Sequence, residues 1–429
     1  MSLMLVAPNA QFTNFVDVAP LLDYAFNLKS FDNAGVFPSA PPLVFSRSSS
    51  ATCYGSNGRI TSVVANVPRW QHNPVTMAVE GLLHEGPGSN AALYSEDLSN
   101  AAWTKLETTV VSNAGVAPDG NMTADKLVPS TNSALHRSQQ FFTVGSGKRF
   151  VASAFFKPDG YTNYAIQIGG AAMTPDCLVK YNSVTGALSS GAGALRFYAT
   201  PVSDGYVRLE VSGVSISAGT AILDIFVNDN AGNSTFAGNG TSGVLVFGAQ
   251  FEQDQQYATS YMPTTNAAAT RSADVLTSSV ASLLTGDFGI LAEYKTTHET
   301  EADGIGFIAG LDDGTSMNRV ALAIGTGTAG VAATTRSSGV VVASQVIATS
   351  NGSFIRAAAM FRSTSFTFSA IGIYPLQKSF VRPAVTTLRI GGQAQPSTYP
   401  NDGYLDGVIK RVSLYGLLVP SSALAAKTM

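Results

Sequence analysis

Cysteine is nearly absent from this chain of 429 residues: Cys53 and Cys177 are the only two, and they stand far apart. A disulfide framework is therefore not indicated, and without CxxC or clustered His/Cys spacings a structural zinc has no ligand set to draw on. Charge is scarce as well. Lys, Arg, Asp and Glu make up 12% of the residues, about half the usual soluble share. They sum to −3, which offers no broad attraction to polyanions and excludes nucleic acid as an expected partner. Sustained apolar runs are missing, and the opening MSLMLVAPNAQF has no basic flank, so neither a secretory signal nor a membrane-inserted helix is expected. No helical period persists beyond three turns, which excludes a coiled coil or a helical domain. The four histidines, His72, His84, His136 and His298, form no HExxH pattern, and no GxSxG elbow occurs. Gly325-Thr326-Gly327-Thr328-Ala329-Gly330 lacks the Lys-Ser/Thr ending of a phosphate loop.

What is present is apolar and β-forming. Hydrophobic residues reach 45%, and aromatic and β-branched residues run throughout, a composition that disordered chains lack. At roughly 150 residues per domain the length allows two or three cores. A surface of Ser, Thr, Asn and Gln, with little charge, fits burial of part of it in an oligomer.

The chain divides by pattern. Residues 1–60 are irregular and Pro-rich, with Phe37-Pro38-Ser39-Ala40-Pro41-Pro42 disfavouring a long helix or central strand; an extended attachment arm is expected. Residues 61–92 read as a connecting segment. From 93 to 265, alternation such as Val207, Leu209 and Val211 marks half-buried strands, with further runs at Phe150–Phe156, Ile222–Val227 and Val244–Phe247. Asp204-Gly205, Asn239-Gly240 and Pro118-Asp119-Gly120 supply turns. Pro263–Thr270 reads as a linker. Strands recur from 275 to 420, at Phe288–Tyr294, Val320–Ile324, Gly339–Ala343, Phe354–Phe361, Phe366–Tyr374 and Leu388–Ile390. The expected fold is all-β: two β-sandwich, jelly-roll-like domains preceded by an extended Pro-rich arm.

One ordered set of short motifs is more specific. It runs Phe45-Ser46-Arg47-Ser48-Ser49-Ser50-Ala51-Thr52, Gly58-Arg59-Ile60, Asn66-Val67-Pro68-Arg69, Gly81-Leu82-Leu83-His84-Glu85, Asn90, and Tyr94-Ser95-Glu96-Asp97-Leu98-Ser99-Asn100-Ala101-Ala102-Trp103-Thr104. It closes with Gly248-Ala249-Gln250-Phe251-Glu252, Thr259-Ser260-Tyr261-Met262-Pro263-Thr264 and Thr270-Arg271-Ser272-Ala273-Asp274. In this order the set resembles the pattern of head-spike, fibre and tail-associated virion proteins of tailed bacteriophages, over about residues 43–275. Two departures are visible: Gly86-Pro87-Gly88-Ser89 replaces the family's acidic-Ala-Arg-Thr run, and Phe247 stands where Trp is frequent. The resemblance implies a carbohydrate-binding-module-like sandwich over 93–265. The 275–420 region, on Gly403–Tyr415, resembles the concanavalin-like (laminin G-like) domain that often follows.

For chemistry, the pairs Glu299/Glu301, Asp312/Asp313 and Glu96/Asp97 lie in no glycosidase motif, and turn formation explains them. Asp312-Asp313-Gly314 and Asp402, in Asn401-Asp402-Gly403, are candidate calcium ligands, although Asp-Gly turns need no metal. No other cofactor is expected. Glycan contacts call for aromatic faces flanked by polar side chains; the candidates are Tyr161 and Tyr164 after Asp159-Gly160, and Trp103, each of which packing explains as well.

The resemblance implies a non-enzymatic virion appendage, a head spike, fibre or tail-tip component, made in the host cytoplasm. It would attach to other virion proteins through its arm, assemble as a homo-oligomer, a trimer by family habit, and meet host-surface polysaccharide. A capsid decoration or baseplate protein without glycan binding, and a polysaccharide depolymerase, remain as alternatives.

Overall fold

The alternation read at 222–227 continues through a ten-residue strand, Gly219–Asn228, in which Leu223, Ile225 and Val227 face a core while Ile222, Asp224, Phe226 and Asn228 take the other side. The computed structural model describes residues 20–32, 34–35, 42–284, 286–296, 306–324, 330–348, 353–373, 376–394, 403–416 and 421–429. They form two compact units. Phe45–Asp274 makes the first, and the described residues up to Val44 combine with those of Val275–Gln395 and Gly403–Met429 to make the second.

The first unit is a β-sandwich. One antiparallel sheet has the order Arg196–Pro201, Val207–Val214, Arg149–Asp159, Gly243–Gln253, Ala124–Pro129, Thr108–Gly115. The other has the order Leu188–Ser190, Cys177–Asn182, Asn163–Gly169, Gly219–Asn228, Ser133–Val144, Thr235–Ala237, and Thr104–Leu106 also pairs with Ser133–Val144. Phe150, Phe156, Leu209, Val211 and Val246 from one sheet meet Tyr164, Ile166, Ile168, Leu223 and Ile225 from the other in a continuous core. The pairing of Arg149–Asp159 with Gly243–Gln253 shifts register between Ser153 and Phe155, which face Gln250 and Phe247. This is a β-bulge. Gly248 lies in it at φ 64°, and a Cβ there would meet Phe155 and Tyr261 at 3.1 Å, so the position requires glycine.

The second unit is a further antiparallel sandwich. One sheet runs Leu376–Ser379, Ser365–Ala370, Ile355–Phe361, Phe288–Thr296, Gly407–Tyr415, with Leu22–Ala25 paired to the last. The other runs Val275–Ser279, Thr387–Ile390, Gly306–Asp312, Arg319–Ile324, Val331–Ser337, Val340–Ile347. A helix, Ser421–Thr428, which the sequence reading did not anticipate, is tied to this unit by Thr428, whose Oγ1 accepts the Gly372 N–H at 3.0 Å. It is too short to cross a membrane, and no described helix is long and apolar enough to do so.

The division differs from the sequence expectation at three places. Much of the expected arm lies outside the described residues, and the described part is built in: Leu22, Tyr24 and Phe26 are buried, and Asp23 accepts Ser413 Oγ at 2.7 Å and Arg411 Nε at 2.8 Å. Residues 61–92 are strands of the first unit, Arg69–His72 paired with Val79–His84 and Gly88–Asn90 with Ala269–Arg271, rather than a connection. The expected linker closes the same unit, with Thr264 buried and bonded through its N–H to Ser95 Oγ at 2.8 Å. A four-residue strand is too short to show a period, which is why composition read as an arm. Asp23→Ala, which removes charge-assisted hydrogen bonds from a buried site, should lower the stability of the second unit by about 2 kcal/mol. The denaturant midpoint measures this, and an unchanged midpoint would return this segment to the role of a free arm.

Candidate functional site

The motifs that carry the resemblance converge on a buried ionic cluster in the first unit. Arg47, from Phe45-Ser46-Arg47, binds Asp274 at 3.0 Å and the carbonyls of Val64 and Val67 at 2.9 and 3.1 Å. Arg69, from Pro68-Arg69, reaches both Glu85 and Asp274 and donates to the Thr52 carbonyl at 3.0 Å. Arg271 completes the set, 3.1 Å from Glu85 and 2.7 Å from the Gly86 carbonyl. Ser260 donates its N–H to Glu85 at 2.8 Å. Asn90 spends its amide on Ala249 and Met262 carbonyls and on the N–H groups of Ala92 and Phe251. All three arginines and Asp274 are closed to solvent. The signature thus clasps the beginning of the unit to its end, and it is scaffold.

Electrostatics follow from this closure. Burial would raise the Glu85 carboxyl, but Arg271, Arg69 and the Ser260 hydrogen bonds outweigh it and hold it at about 2. Asp274 is likewise held low against burial by Arg69, His84, Arg47 and Arg271. Burial pushes His84 down to about 4. A carboxyl with a lowered folded pKa contributes stability that is complete above its unfolded value, about 4.3 for Glu. That contribution is lost as pH falls toward 2. The first unit should therefore lose stability steeply only below about pH 4 on account of these carboxylates. An acid titration followed by tryptophan fluorescence checks this, and a steep loss confined to neutral pH would contradict it.

The polar feature with ligand character lies on the sheet that contains Gly219–Asn228, on the face turned away from the sandwich core. Register places Gln139, Asp224 and Gln167 side by side on three adjacent strands, and Arg137, Phe226 and Ala165 in the next row of the same face. Asp224 is only 2% exposed and Gln139 6%. Arg137 Nε is 3.5 Å from Asp224 Oδ1, with the guanidinium over the Phe226 ring at 5.6 Å. Asp224 Oδ1, Gln139 Oε1 and Arg137 Nε each lack a hydrogen-bond partner within the protein. Such atoms are taken by water or by a ligand. Gln167 holds Asp176 at 3.0 Å, and Phe141, 51% exposed, continues the face one pair further along. Burial raises Asp224 to about 6, opposed by Arg137 and assisted by Asp176. Two acceptors and a donor recessed in this face, with the exposed Phe141 ring nearby, are groups that the hydroxyls of a ligand can pair with.

The residues singled out from sequence lie elsewhere. Tyr164 is in the core, stacked on Phe156 at 4.8 Å; Tyr161 packs edge-on against Phe236 at 5.2 Å. Trp103 is buried and donates its indole N–H to the Leu93 carbonyl at 3.1 Å. None of the three presents a ring face to solvent, which corrects their assignment as glycan platforms. Asp312 is engaged by Arg389 and the Gly314 N–H, both at 2.8 Å. Asp313 holds Thr315 and Asn318. The Gly314, Thr315 and Asn318 contacts are turn bonds and the Arg389 contact is a cross-strand ion pair, and no group of metal-binding side chains gathers among the described residues. Asp402, Glu299 and Glu301 lie outside those residues. Asp97 caps its turn through Ser99 at 3.1 Å, while Glu96 accepts the Tyr261 hydroxyl at 3.0 Å.

No family model matches the chain, and no curated protein matches it. Several solved structures show a limited similarity to it. The carbohydrate-binding module of a Ruminococcus gnavus sialidase, bound to α2,3-sialyllactose, is 20% identical with a TM-score of 0.28, covering 34% of this chain and 83% of that one. Mouse laminin α1 domains LG4-5 are 11% identical with a TM-score of 0.24, covering 66% and 86%. Trypanosoma rangeli sialidase in complex with the inhibitor DANA is 11% identical with a TM-score of 0.27, covering 90% and 77%. At this level of likeness the comparisons assign neither a family nor a ligand.

Proposed function

We propose that this protein is a non-enzymatic surface component of a tailed-phage virion that binds host polysaccharide through the Asp224 face of its first sandwich. The observation that carries the saccharide part is the set of polar atoms of Asp224, Gln139 and Arg137 without a hydrogen-bond partner, recessed on the sheet face turned away from the core. Desolvating such groups is costly unless something bonds to them, and saccharide hydroxyls pair with both acceptors and donors. The virion part rests on the ordered motif set over 43–275. Two arms test the proposal: immunogold labelling of intact virions, and adsorption of the purified chain to host cells. Labelled particles together with bound cells are expected. Unlabelled virions would overturn the location, and absent cell binding the adsorption role. The oligomer implied by the resemblance is tested by light scattering, where a stable monomer at micromolar concentration would count against it.

A second reading takes the same face. Asp224, raised to about 6, and Asp176, which helps to raise it, are neighbouring carboxyl groups of the kind a depolymerase would divide between acid and base. It requires release of reducing ends from host polysaccharide, abolished in Asp224→Asn. Binding without release favours the non-enzymatic reading.

A further inference from the structure

The second sandwich carries an arrangement that its own packing does not explain. On Arg319–Ile324, the large residues Val320, Leu322 and Ile324 point to one face, and Arg319, Ala321 and Ala323 to the other. Cross-strand register puts Asp312, Arg319 and Arg336 in one row, so two guanidinium groups are direct neighbours. Like charges placed so are destabilising. The nearby carboxylate does not resolve this, because Asp312 is committed to Arg389 Nε at 2.8 Å and to the Gly314 N–H at 2.8 Å.

Arg319 is 8% exposed and lies on the Phe307 ring at 4.2 Å. One of its terminal nitrogens donates to Gln393, but its Nε has no hydrogen-bond partner, and neither has Nε of Arg336. Burial lowers Arg319 to about 10, and Arg336 adds to the effect while Asp312 opposes it. With Arg389, the described residues set three guanidinium groups around the Asp312 carboxylate. Burying the Arg319 guanidinium beside a second one, with Nε of each unpartnered, is costly unless something negative completes the group.

We propose that this face of the second sandwich binds an oxyanion between Arg319 and Arg336, specifically the carboxylate of an acidic saccharide. A guanidinium presents Nε and a terminal nitrogen as a planar fork that matches two carboxylate oxygens. Nε of each arginine is the donor left unpartnered. The site involves no residue of the Asp224 face and stands whether or not that face binds sugar.

The test uses the full chain carrying Asp224→Asn, which silences the first sandwich's face, and calorimetric titration with D-glucuronate, with D-glucose plus NaCl at equal ionic strength, with polygalacturonate, and with neutral dextran. Glucuronate or polygalacturonate should bind, and glucose and dextran should not. Binding of glucuronate identifies a single acidic residue as sufficient, and binding of polygalacturonate alone identifies a polymer as the source. Arg319→Gln and Arg336→Gln should each weaken acidic binding at least tenfold. Because Arg336→Gln relieves the repulsion, it should melt at or above the wild-type temperature without ligand, so its loss of binding cannot be ascribed to unfolding. Equal binding of acidic and neutral probes, no binding of either acid, or acidic binding undiminished in Arg336→Gln would overturn the proposal.

Discussion

Arg69→Met should destabilise the first sandwich by about 3–5 kcal/mol, the range for removing one partner of a buried charge group. Methionine fills comparable volume, so the effect isolates charge and hydrogen bonding from cavity formation. Arg69 bridges Glu85 and Asp274 while donating to Thr52 and Ser260, and its loss leaves two carboxylates in a closed interior with less compensation. Burial disfavours the charge on Arg69 itself, but Asp274 and Glu85 more than restore it, raising its pKa. The measurement is the denaturant midpoint of the first unit at neutral pH. A change below about 1 kcal/mol would mean that the cluster is held by packing and not by its ions.

Asp224→Asn should have the opposite sign on stability and a large effect on binding. A carboxyl whose folded pKa is raised costs stability when ionised, and the cost fades as pH falls from its folded value of about 6 toward its unfolded value. Asparagine keeps the shape without the charge, so the variant should be about 2 kcal/mol more stable at pH 7 or 8, and the advantage should vanish near pH 4. Saccharide binding should fall by tenfold or more, since the strongest acceptor of the face is gone. Stability gained where function is lost is what a built binding site predicts. A variant less stable than wild type at pH 8 would show Asp224 to be structural.

Much of the fold was legible in the residues. Alternation at 207–211 and the apolar runs at 222–227, 288–294 and 320–324 lie within strands of the two sandwiches. Site prediction from residue type did worse, for a definable reason. Tyr164 followed a turn and read as a loop aromatic, yet Tyr164, Ile166 and Ile168 share one face of Asn163–Gly169, and that period was present in the sequence. Asp224 also left a signal, a lone carboxylate between Leu223 and Ile225 in an apolar strand, which alternation turns away from the core. What no local pattern reveals is the meeting of Arg47 and Asp274, or the row that sets Arg319 beside Arg336, because both arise from register and chain closure. The motif set marks the protein's construction, and both binding faces proposed above lie outside it.

The central claim is most directly tested by measuring binding of the full chain and of Asp224→Asn to an array of neutral bacterial surface polysaccharides, with both proteins shown folded by circular dichroism. The wild-type chain is expected to bind at least one polysaccharide, and Asp224→Asn to lose that binding while melting at a higher temperature. Binding that survives in the variant, or a wild-type chain that binds none of them, would contradict the account.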